Sequence, residues 1–347
     1  MAPAGPCMKA SWIAFDAHTA KRIRTTTSTR MTDAIEKIDG AGDVVDIDGR
    51  RFQRMHNGIL VGAGAYGGEW MTEIISRLGG HHEPQEEVVF DALLGRLASV
   101  SEPVMIEFGS NWTYYGMWFA TALPGSRVLA LEPDRAYLAN GKANVEINEL
   151  GDRVTFIRGA VGDTPGASMD FIGEHGGPAE PVEQHDFASL MGILGTDRVD
   201  LALIDIQGFE YGLLLRASDL LRSGAIRFLV VSTHHHSFSG DALTHQRVLQ
   251  HLRNLGGSII AEHSIPESFS GDGLIVASFD ERDAGFEVDL PLARSRDSIF
   301  DSVEFELETA MRELADARAR IRELESSRLV RAADALSHGV QRLRRRD

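Results

Sequence analysis

The 347-residue sequence predicts an α/β fold: a doubly wound, seven-stranded, mostly parallel sheet with a small N-terminal cap and a C-terminal coiled-coil helix. Two observations predict the sheet. From residue 103 onward, short apolar stretches alternate with longer amphipathic ones, and the last two apolar stretches are joined by a loop without a helix, which makes the final strand antiparallel. The predicted strands are residues 104–108, 127–132, 153–157, 200–206, 226–232, 258–262 and 273–279.

The region before the sheet has two parts. Residues 1–40 show no clear period and are rich in Thr, Ala and Arg, so we expect a flexible N-terminus. Residues 41–100 begin with short alternating strands and turns and continue with two amphipathic helical segments, 69–78 and 86–97, which predict a small cap. The sheet domain then spans residues 101–285.

Residues 298–347 carry a different pattern. Apolar residues recur at spacings of three and four from Phe300 to Leu324, which predicts a coiled-coil helix and a homo-oligomer. From Ser327 onward, six Arg face two Asp, so this tail is basic while the rest of the chain is acidic. Such a tail is suited to contact an anionic membrane surface or a glycan-assembly complex.

Composition excludes several classes of function. A net charge of −16 argues against nucleic acid as a partner, because neutralising phosphates requires surplus Lys and Arg. Cys7 is the only cysteine, so a metal site would need oxygen and nitrogen ligands. The sequence shows neither a membrane span nor the apolar core of a signal peptide, so the expected location is the cytoplasm, with the inner membrane face as a possible peripheral site.

Two glycine-rich loops compete for a nucleotide-like ligand. Gly62, Gly64 and Gly67 form a G-x-G-x-x-G pattern, but no second parallel strand follows, so a flexible hinge is favoured over a dinucleotide site. The second loop follows a predicted sheet strand and contains Gly109, where a ligand can approach the backbone closely.

The acidic residues around this second loop indicate the ligand. Glu132 ends the next strand, 23 residues after Gly109, in position to accept the hydroxyls of a ribose. No triphosphate-binding motif is present, and a ribose, an adenine and an amino-acid tail together describe S-adenosylmethionine. Glu107 would face its ammonium group, and backbone groups near Gly159 and Ala160 would read the adenine edge.

Three stretches resemble the FkbM-type S-adenosylmethionine-dependent methyltransferases: "IEFGSNWTYYG", "ALEPD" and "LALIDIQGFEYGLLLRA". The resemblance implies a class I, Rossmann-like fold and O-methylation of sugars or natural products. It also makes Asn111 and Tyr115 expected cofactor contacts. The sequence departs from the family pattern at Thr113, where a second glycine is usual, and at Gln207, where a glutamate is usual.

The expected reaction centre is Asp205, which ends the fourth strand and could also contact the cofactor, or alternatively could cap the following helix. His234, His235 and His236 follow the fifth strand at the same sheet edge. On an extended chain His234 and His236 share one face and His235 the other. One of the three could act as general base, or could bind Mg or Mn with Asp205 and Glu262, or could bond substrate or only add loop polarity.

Aromatic and polar residues suggest a carbohydrate or glycolipid acceptor. Side chains with flat faces or hydrogen-bonding groups suited to a sugar are Tyr66, Trp70, Trp112, His235, Glu267, Ser270 and Asp272. The other histidines noted, His81, His82 and His245, are expected to be solvated.

The sequence therefore predicts methyl transfer to a sugar hydroxyl of a glycan or glycolipid precursor. Its rivals are a metal-dependent O-methyltransferase of small molecules, a non-catalytic coiled-coil scaffold, and a nicotinamide enzyme that uses the first glycine loop.

Overall fold

The structure is a computed structural model that describes residues 15–173, 176–293, 299–300 and 303–326. The chain divides into two units, residues 1–300 and 301–347. The strands are β1 (Val44–Ile47), β2 (Arg50–Arg54), β3 (Leu60–Gly62), β4 (Val104–Phe108), β5 (Arg127–Leu131), β6 (Val154–Ile157), β7 (Gly159–Val161), β8 (Ser168–Phe171), β9 (Glu180–His185), β10 (Val199–Ile204), β11 (Ile226–Thr233), β12 (Ser258–His263) and β13 (Gly273–Ser278).

The helices of the first unit are α1 (Ala17–Thr26), α2 (Glu69–Arg77), α3 (Pro84–Leu97), α4 (Tyr114–Ala122), α5 (Arg135–Ile147), α6 (Phe187–Leu194), α7 (Glu210–Arg216), α8 (Ser218–Arg222), α9 (His236–Ser239) and α10 (Thr244–Asn254). Short 3-10 helices cover Met31–Ala34, Ile265–Glu267 and Glu281–Asp283. The second unit contains α11 (Val303–Ser326).

The central sheet confirms all seven predicted strands. Its order is β12-β13-β11-β10-β4-β5-β6, with β13 antiparallel to both of its neighbours and the remaining pairs parallel. Every residue of β10 and β11 is buried, as expected for strands covered on both faces. The chain reverses its direction of travel across the sheet between β4 and β10. The carboxyl ends of these two strands therefore form the edge where such folds bind ligands.

The segment predicted as a cap belongs to the central core. Strands β1–β3 form a small antiparallel sheet, and α2 and α3 occur where helices were predicted. Met55, Ile74 and Phe90, however, are buried in the same apolar cluster as residues of the central strands. The rings of Phe90 and Trp118 lie 5.1 Å apart. Residues 41–100 thus cover one face of the sheet rather than forming a separate layer.

The structure differs from the prediction of a flexible N-terminus over residues 15–40. Helix α1 begins after Asp16, whose side chain accepts a hydrogen bond from Thr19 N at 2.9 Å. Its inner face buries Ile23, and Thr26 Oγ1 donates to Phe269 O at 2.9 Å. These contacts with distant residues stabilise a segment whose own sequence shows little periodicity. Residues 1–14 lie outside the described residues.

A second small sheet, of order β7-β9-β8, was not predicted. It contains Gly159 and Ala160, the residues predicted to read the adenine edge. Strand β8 alternates exposed and half-buried residues, and β9 is mostly exposed or half-buried. Neither strand carries the apolar run that identified the central strands.

Helix α11 confirms that the predicted C-terminal helix forms over Val303–Ser326. Four side chains of the predicted apolar stripe are at least half exposed in it: Leu307, Leu314, Ile321 and Leu324. The coiled coil itself stays a prediction, and the basic tail lies outside the described residues. Within the part of the chain that the structure describes, none of the helices combines the length and the apolar character needed to cross a membrane.

Candidate active site

The candidate site lies at the carboxyl edge of the central strands. Glu107 is in β4, Glu132 follows β5, Asp205 follows β10 and His234 follows β11. Asp205 N donates to Phe108 O at 2.9 Å, so the end of β10 is bonded to the end of β4. The sheet therefore brings three predicted acidic residues and one predicted histidine to the same edge.

His234 is held between two carboxylates. Its Nε2 lies 2.9 Å from Asp205 Oδ1 and its Nδ1 lies 3.0 Å from Glu210 Oε1. Burial alone would lower the pKa of His234, but the charges and hydrogen bonds of Asp272, Asp205 and Glu210 raise that pKa well above its ordinary value. The carboxylates at both ring nitrogens favour the imidazolium form of His234, which argues against its use as a general base near neutral pH.

Glu210 fixes the position of the His234 ring through its contact with Nδ1. Its side chain is fully buried, and its two oxygens accept from Gly208 N at 3.0 and 2.9 Å. Helix α7 has Phe209 as its N-cap residue, without a side-chain cap. Asp205 therefore does not cap this helix, and its carboxylate is bonded to His234 instead.

The chain does not stay extended through the three histidines. Strand β11 ends at Thr233, and His235 is the N-cap of the short helix α9, with Nδ1 accepting from Ser237 N at 3.3 Å. The ring of His235 also stacks on Phe300, with centroids 4.2 Å apart. His236 starts the helix, so the predicted alternation of His234 and His236 on one face is wrong because a helix turn replaces the strand.

Asp272 lies near the same ring nitrogen of His234 as Asp205 does. Its Oδ1 is 3.8 Å from His234 Nε2. Burial raises the pKa of Asp272 to about 7, with the positive charge of His234 opposing this shift and the charges of Asp205 and Glu83 adding to it. A carboxyl group with such a pKa can gain and lose a proton near neutral pH.

Tyr66 and Trp112 form an aromatic pair beside these acids. Their rings stack with centroids 4.8 Å apart and an interplanar angle of 23°. Burial, followed by the charges of Glu83, Asp205 and Asp272, raises the pKa of Tyr66 well above its ordinary value. Tyr66 therefore shares an acidic environment with two of the predicted site residues.

Glu107 is a buried carboxyl group on the side of the edge where the sequence predicts the cofactor. Its Oε2 has no hydrogen-bond partner among the described residues, and neither has Asn111 Oδ1 or Thr113 Oγ1. Burial raises the pKa of Glu107 well above its ordinary value, and the charges of Asp205 and Glu132 add to this. A cationic ligand would give the unpartnered oxygen of Glu107 a hydrogen-bond donor and would stabilise its buried negative charge.

Glu132 already holds the loop that precedes α4. Its Oε2 accepts from Asn111 N and its Oε1 from Asp134 N, both at 2.8 Å. Burial raises the pKa of Glu132 to about 7. Each oxygen keeps a second lone pair that can accept a ribose hydroxyl. Gly159 N donates to the backbone oxygen of Glu132 at 3.3 Å, so the predicted adenine-reading residues, Gly159 and Ala160, begin next to it.

Gly109 and Thr113 have unusual backbone conformations. Gly109 has φ +76°, and a Cβ there would lie 1.8 Å from the carbonyl oxygen of Asp205. The glycine thus permits close packing against the end of β10. Thr113, which stands where the family pattern has a glycine, has φ +60°, a conformation that is strained for a β-branched residue.

The family model described as the methyltransferase FkbM domain matches residues 104–259. Residues 104–259 form an FkbM methyltransferase domain. The match runs from the start of β4 into β12 and so includes Glu107, Glu132, Asp205 and His234. The protein is accordingly an S-adenosylmethionine-dependent methyltransferase.

Solved structures of other methyltransferases are similar to this chain only at low identity and low TM-score. The METTL16 methyltransferase domain is 15% identical, covering 57% of this chain and 69% of that chain, with a TM-score of 0.39. Precorrin-6y C5,15-methyltransferase from Geobacter metallireducens GS-15 is 14% identical, covering 55% and 86%, with a TM-score of 0.35. Cofactor-bound Rv0187 from MTB is 16% identical, covering 55% and 79%, with a TM-score of 0.38. None of the curated proteins matches the sequence.

Four other predicted site residues have structural contacts near the FkbM domain. Trp70 packs against the guanidinium of Arg22, whose Cζ is 5.0 Å from the ring centroid. Glu267 Oε2 accepts from Ser264 N at 2.8 Å at the start of a 3-10 helix. The other two are also hydrogen-bonded within the protein. Ser270 N donates to Ser268 Oγ at 3.1 Å, and Tyr115 OH donates to Glu83 Oε2 at 3.2 Å.

The predicted metal ligands do not come together in one cluster. Glu262 Oε1 lies 2.8 Å from His245 Nε2. Among the described residues, the sets whose ligand atoms lie within 4.8 Å of one another do not include Asp205, His234 and Glu262 together. The dinucleotide alternative also fails, because β3 pairs antiparallel with β2 and does not start a strand–helix–strand unit.

Sequence reasoning missed a buried polar network beside the FkbM domain. His81, His82 and His245 were predicted to be solvated, but all three are buried. His82 Nδ1 lies 2.6 Å from Glu87 Oε1, and His245 Nδ1 lies 2.7 Å from Thr233 Oγ1. The dense "HHEPQEE" stretch was the available signal.

Proposed function

We propose that this methyltransferase transfers a methyl group from S-adenosylmethionine to a sugar hydroxyl of a glycan or glycolipid precursor, with Asp272, which follows the FkbM domain in the chain, as general base. One observation carries the proposal. Asp272, whose pKa burial raises to about 7, lies 3.8 Å from a histidine that stays protonated at the ligand-binding edge of the sheet. A general base works best when its pKa is close to the operating pH.

The cofactor fits the chemistry of the carboxylate side. Glu107 would hold its ammonium group, Glu132 its ribose, and the unpartnered oxygen of Asn111 offers a further acceptor. When bound, S-adenosylmethionine supplies an electrophilic methyl carbon. The two buried carboxylates complement its positive charge, and the protein needs mainly to align the acceptor with it.

The acceptor side supplies the proton chemistry. Asp272 takes the proton of the acceptor hydroxyl, and the oxygen's electron pair becomes available for the new bond. His234, fixed by Asp205 and Glu210, is a positioning residue that keeps a positive charge beside the ionised form of Asp272. The stacked rings of Tyr66 and Trp112 offer an apolar face next to hydrogen-bonding groups, which suits a sugar ring.

The acceptor class is tested by the product. Purified full-length protein is incubated with methyl-labelled S-adenosylmethionine and three acceptor groups: lipid-linked oligosaccharides, nucleotide sugars and small phenols. We expect O-methylated sugar in hydrolysed product, formed at least about 100-fold more slowly with Asp272→Asn. Transfer to phenols alone, restored by Mg or Mn after EDTA, would support the metal-dependent rival. An absence of S-adenosylhomocysteine binding in calorimetry would support the scaffold.

We also propose that α11 pairs with a second copy of the chain. Its apolar stripe at heptad spacing is exposed, as a coiled-coil seam is before pairing. Leu314→Glu should convert a dimer to a monomer in light scattering, whereas Glu313→Gln, at a neighbouring position outside the stripe, should not. The basic tail would then bring the dimer to an anionic membrane surface or a glycan-assembly complex.

A further inference from the structure

A buried cluster of two histidines and one glutamate lies outside the reaction centre. His56, His81 and Glu87 each place one nitrogen or oxygen so that the three atoms lie within 4.8 Å of one another. All three side chains are at most 3% exposed. We propose that this cluster binds one divalent transition-metal ion, of which zinc fits the donor set best.

Two segments that are distant in sequence come into contact to form this buried cluster. His56 follows β2, and His81 lies in the loop before α3. The two segments meet where His56 N donates to Gly80 O at 3.0 Å. A Cβ on Gly80 would lie 2.2 Å from His56 N, so only glycine allows this approach. The two imidazoles consequently stack with centroids 4.2 Å apart.

Glu87 is oriented by its second oxygen. Oε1 accepts from His82 N at 2.7 Å and Glu83 N at 3.2 Å, and lies 2.6 Å from His82 Nδ1. The carboxylate is therefore fixed, with Oε2 in contact with His81 Nδ1 and 3.9 Å from His56 Nδ1. Hydrogen bonds of this kind to the far side of a ligating carboxylate are typical of metal sites.

Tyr114 offers a fourth donor. Its hydroxyl lies 3.0 Å from His56 Nδ1, and its side chain is fully buried. Two nitrogens and two oxygens in a buried position match the four-coordinate preference of a structural zinc ion. Tyr114 begins α4, directly after the cofactor loop of the FkbM domain. The ion would thus tie residues 41–100 to that loop.

A hydrogen-bonded network without an ion is the competing explanation. In it, a proton between His81 and Glu87 takes the place of the metal. The two explanations differ in metal content and spectrum, neither of which depends on methyl transfer. A failure of the proposed reaction would therefore leave this result unaffected, and the reverse also holds.

The test uses the full chain purified without a histidine tag. Elemental analysis should find about one zinc ion per chain. After removal of the ion with a chelator, cobalt(II) should bind with the visible absorption of a four-coordinate site, and the Tm should rise on addition of either metal. A folded wild-type chain with neither bound zinc nor a cobalt spectrum would overturn the proposal.

Variants locate the ion. His81→Gln and Glu87→Gln should abolish the cobalt spectrum. His245→Gln is the matched control, because His245 is also a buried histidine bonded to a glutamate but lies outside the cluster. Retention of the spectrum in both cluster variants, or its loss in the control, would place the metal elsewhere. The wild-type cobalt titration decides the case even if a cluster variant does not fold.

Discussion

His234 Nε2 lies 2.9 Å from Asp205 Oδ1, at the point where the two central strands β10 and β11 end. The opposite nitrogen of the ring is bonded to Glu210, so the histidine has no lone pair left to accept a proton. In the proposed reaction, the proton of the acceptor hydroxyl would then pass to a carboxylate. Asp272 is the acidic neighbour whose pKa of about 7 suits that step.

The three adjacent histidines should contribute unequally to turnover. His234→Gln removes the cation that links Asp205 and Glu210, and a resulting displacement of about 1 Å would lower kcat by roughly 100-fold. His236→Gln, at the start of α9, should change kcat less than about threefold. Steady-state kinetics and calorimetry with S-adenosylhomocysteine check this, and cofactor affinity should be retained in both. Equal, negligible effects of both substitutions would mean that the three histidines only add polarity to the loop.

His234 should also make stability depend on pH. Its pKa is raised in the folded state, so its contribution to stability is fully present below the ordinary value of 6.5 and is lost as the pH rises through the elevated value. The free energy of unfolding of the wild type, relative to His234→Gln, should therefore be largest in mildly acidic buffer and decline in alkaline buffer. Denaturant titrations across this range measure it. A difference that grows with pH would contradict the ionic arrangement.

The rate should follow the ionisation of Asp272. Because only the carboxylate accepts a proton, kcat should rise with pH through an apparent pKa of about 7 and then level off. Asp272→Asn should lower kcat by about 10²- to 10⁴-fold, the usual contribution of a general base. Ser270→Ala in the same loop is the control, with a wild-type pH profile expected. An unchanged profile in Asp272→Asn would assign the base elsewhere.

The seven central strands were predictable because each is a short apolar run between amphipathic segments. The identity of the polar partners was not. Ser232 donates to Glu86 across 146 positions of sequence, and Glu210 lies 24 positions from His234. Periodicity describes only which side of an element faces inward. It cannot show that a buried carboxylate such as Glu210 is bonded to a histidine from another segment.

The histidine triplet illustrates the same limit locally. The sequence predicts an extended chain there because the triplet directly follows the apolar run of the fifth strand. His235 instead caps α9, and its Nδ1 accepts from Ser237 N. A four-residue helix has too few residues to show a helical period, so no sequence pattern separated it from a strand continuation.

Glu107 should couple cofactor binding to pH. Its pKa is raised in the folded protein, so its favourable contribution to stability is present below the ordinary value of 4.5 and is lost as the pH rises through the elevated value. A bound cation favours the ionised form, and cofactor affinity should therefore rise with pH. Glu107→Gln should weaken S-adenosylhomocysteine binding by about 10- to 100-fold and remove this pH dependence.

The same variant has an opposite effect on the ligand-free protein. The amide does not carry the cost of a buried charge, so Glu107→Gln should unfold at a higher denaturant concentration than the wild type above neutral pH. Calorimetry and urea titrations together give the two results. Weaker binding accompanied by lower stability would instead mean that the substitution disturbs the fold.

Gly109→Ala should damage both sides of the site with one methyl group. The added Cβ would lie 1.8 Å from the carbonyl oxygen of Asp205, and the positive φ adds a strain of roughly 1–3 kcal/mol. The ends of β4 and β10 must move apart, which displaces both Glu107 and Asp205.

Gly95→Ala is the matched control, since a Cβ there meets no atom within 4 Å and alanine favours the helix by about 0.5–1 kcal/mol. We expect Gly109→Ala to lower the Tm and abolish detectable binding of S-adenosylhomocysteine, while Gly95→Ala raises the Tm and binds normally. Normal binding by Gly109→Ala would show that the loop and the end of β10 can separate without loss of the cofactor site.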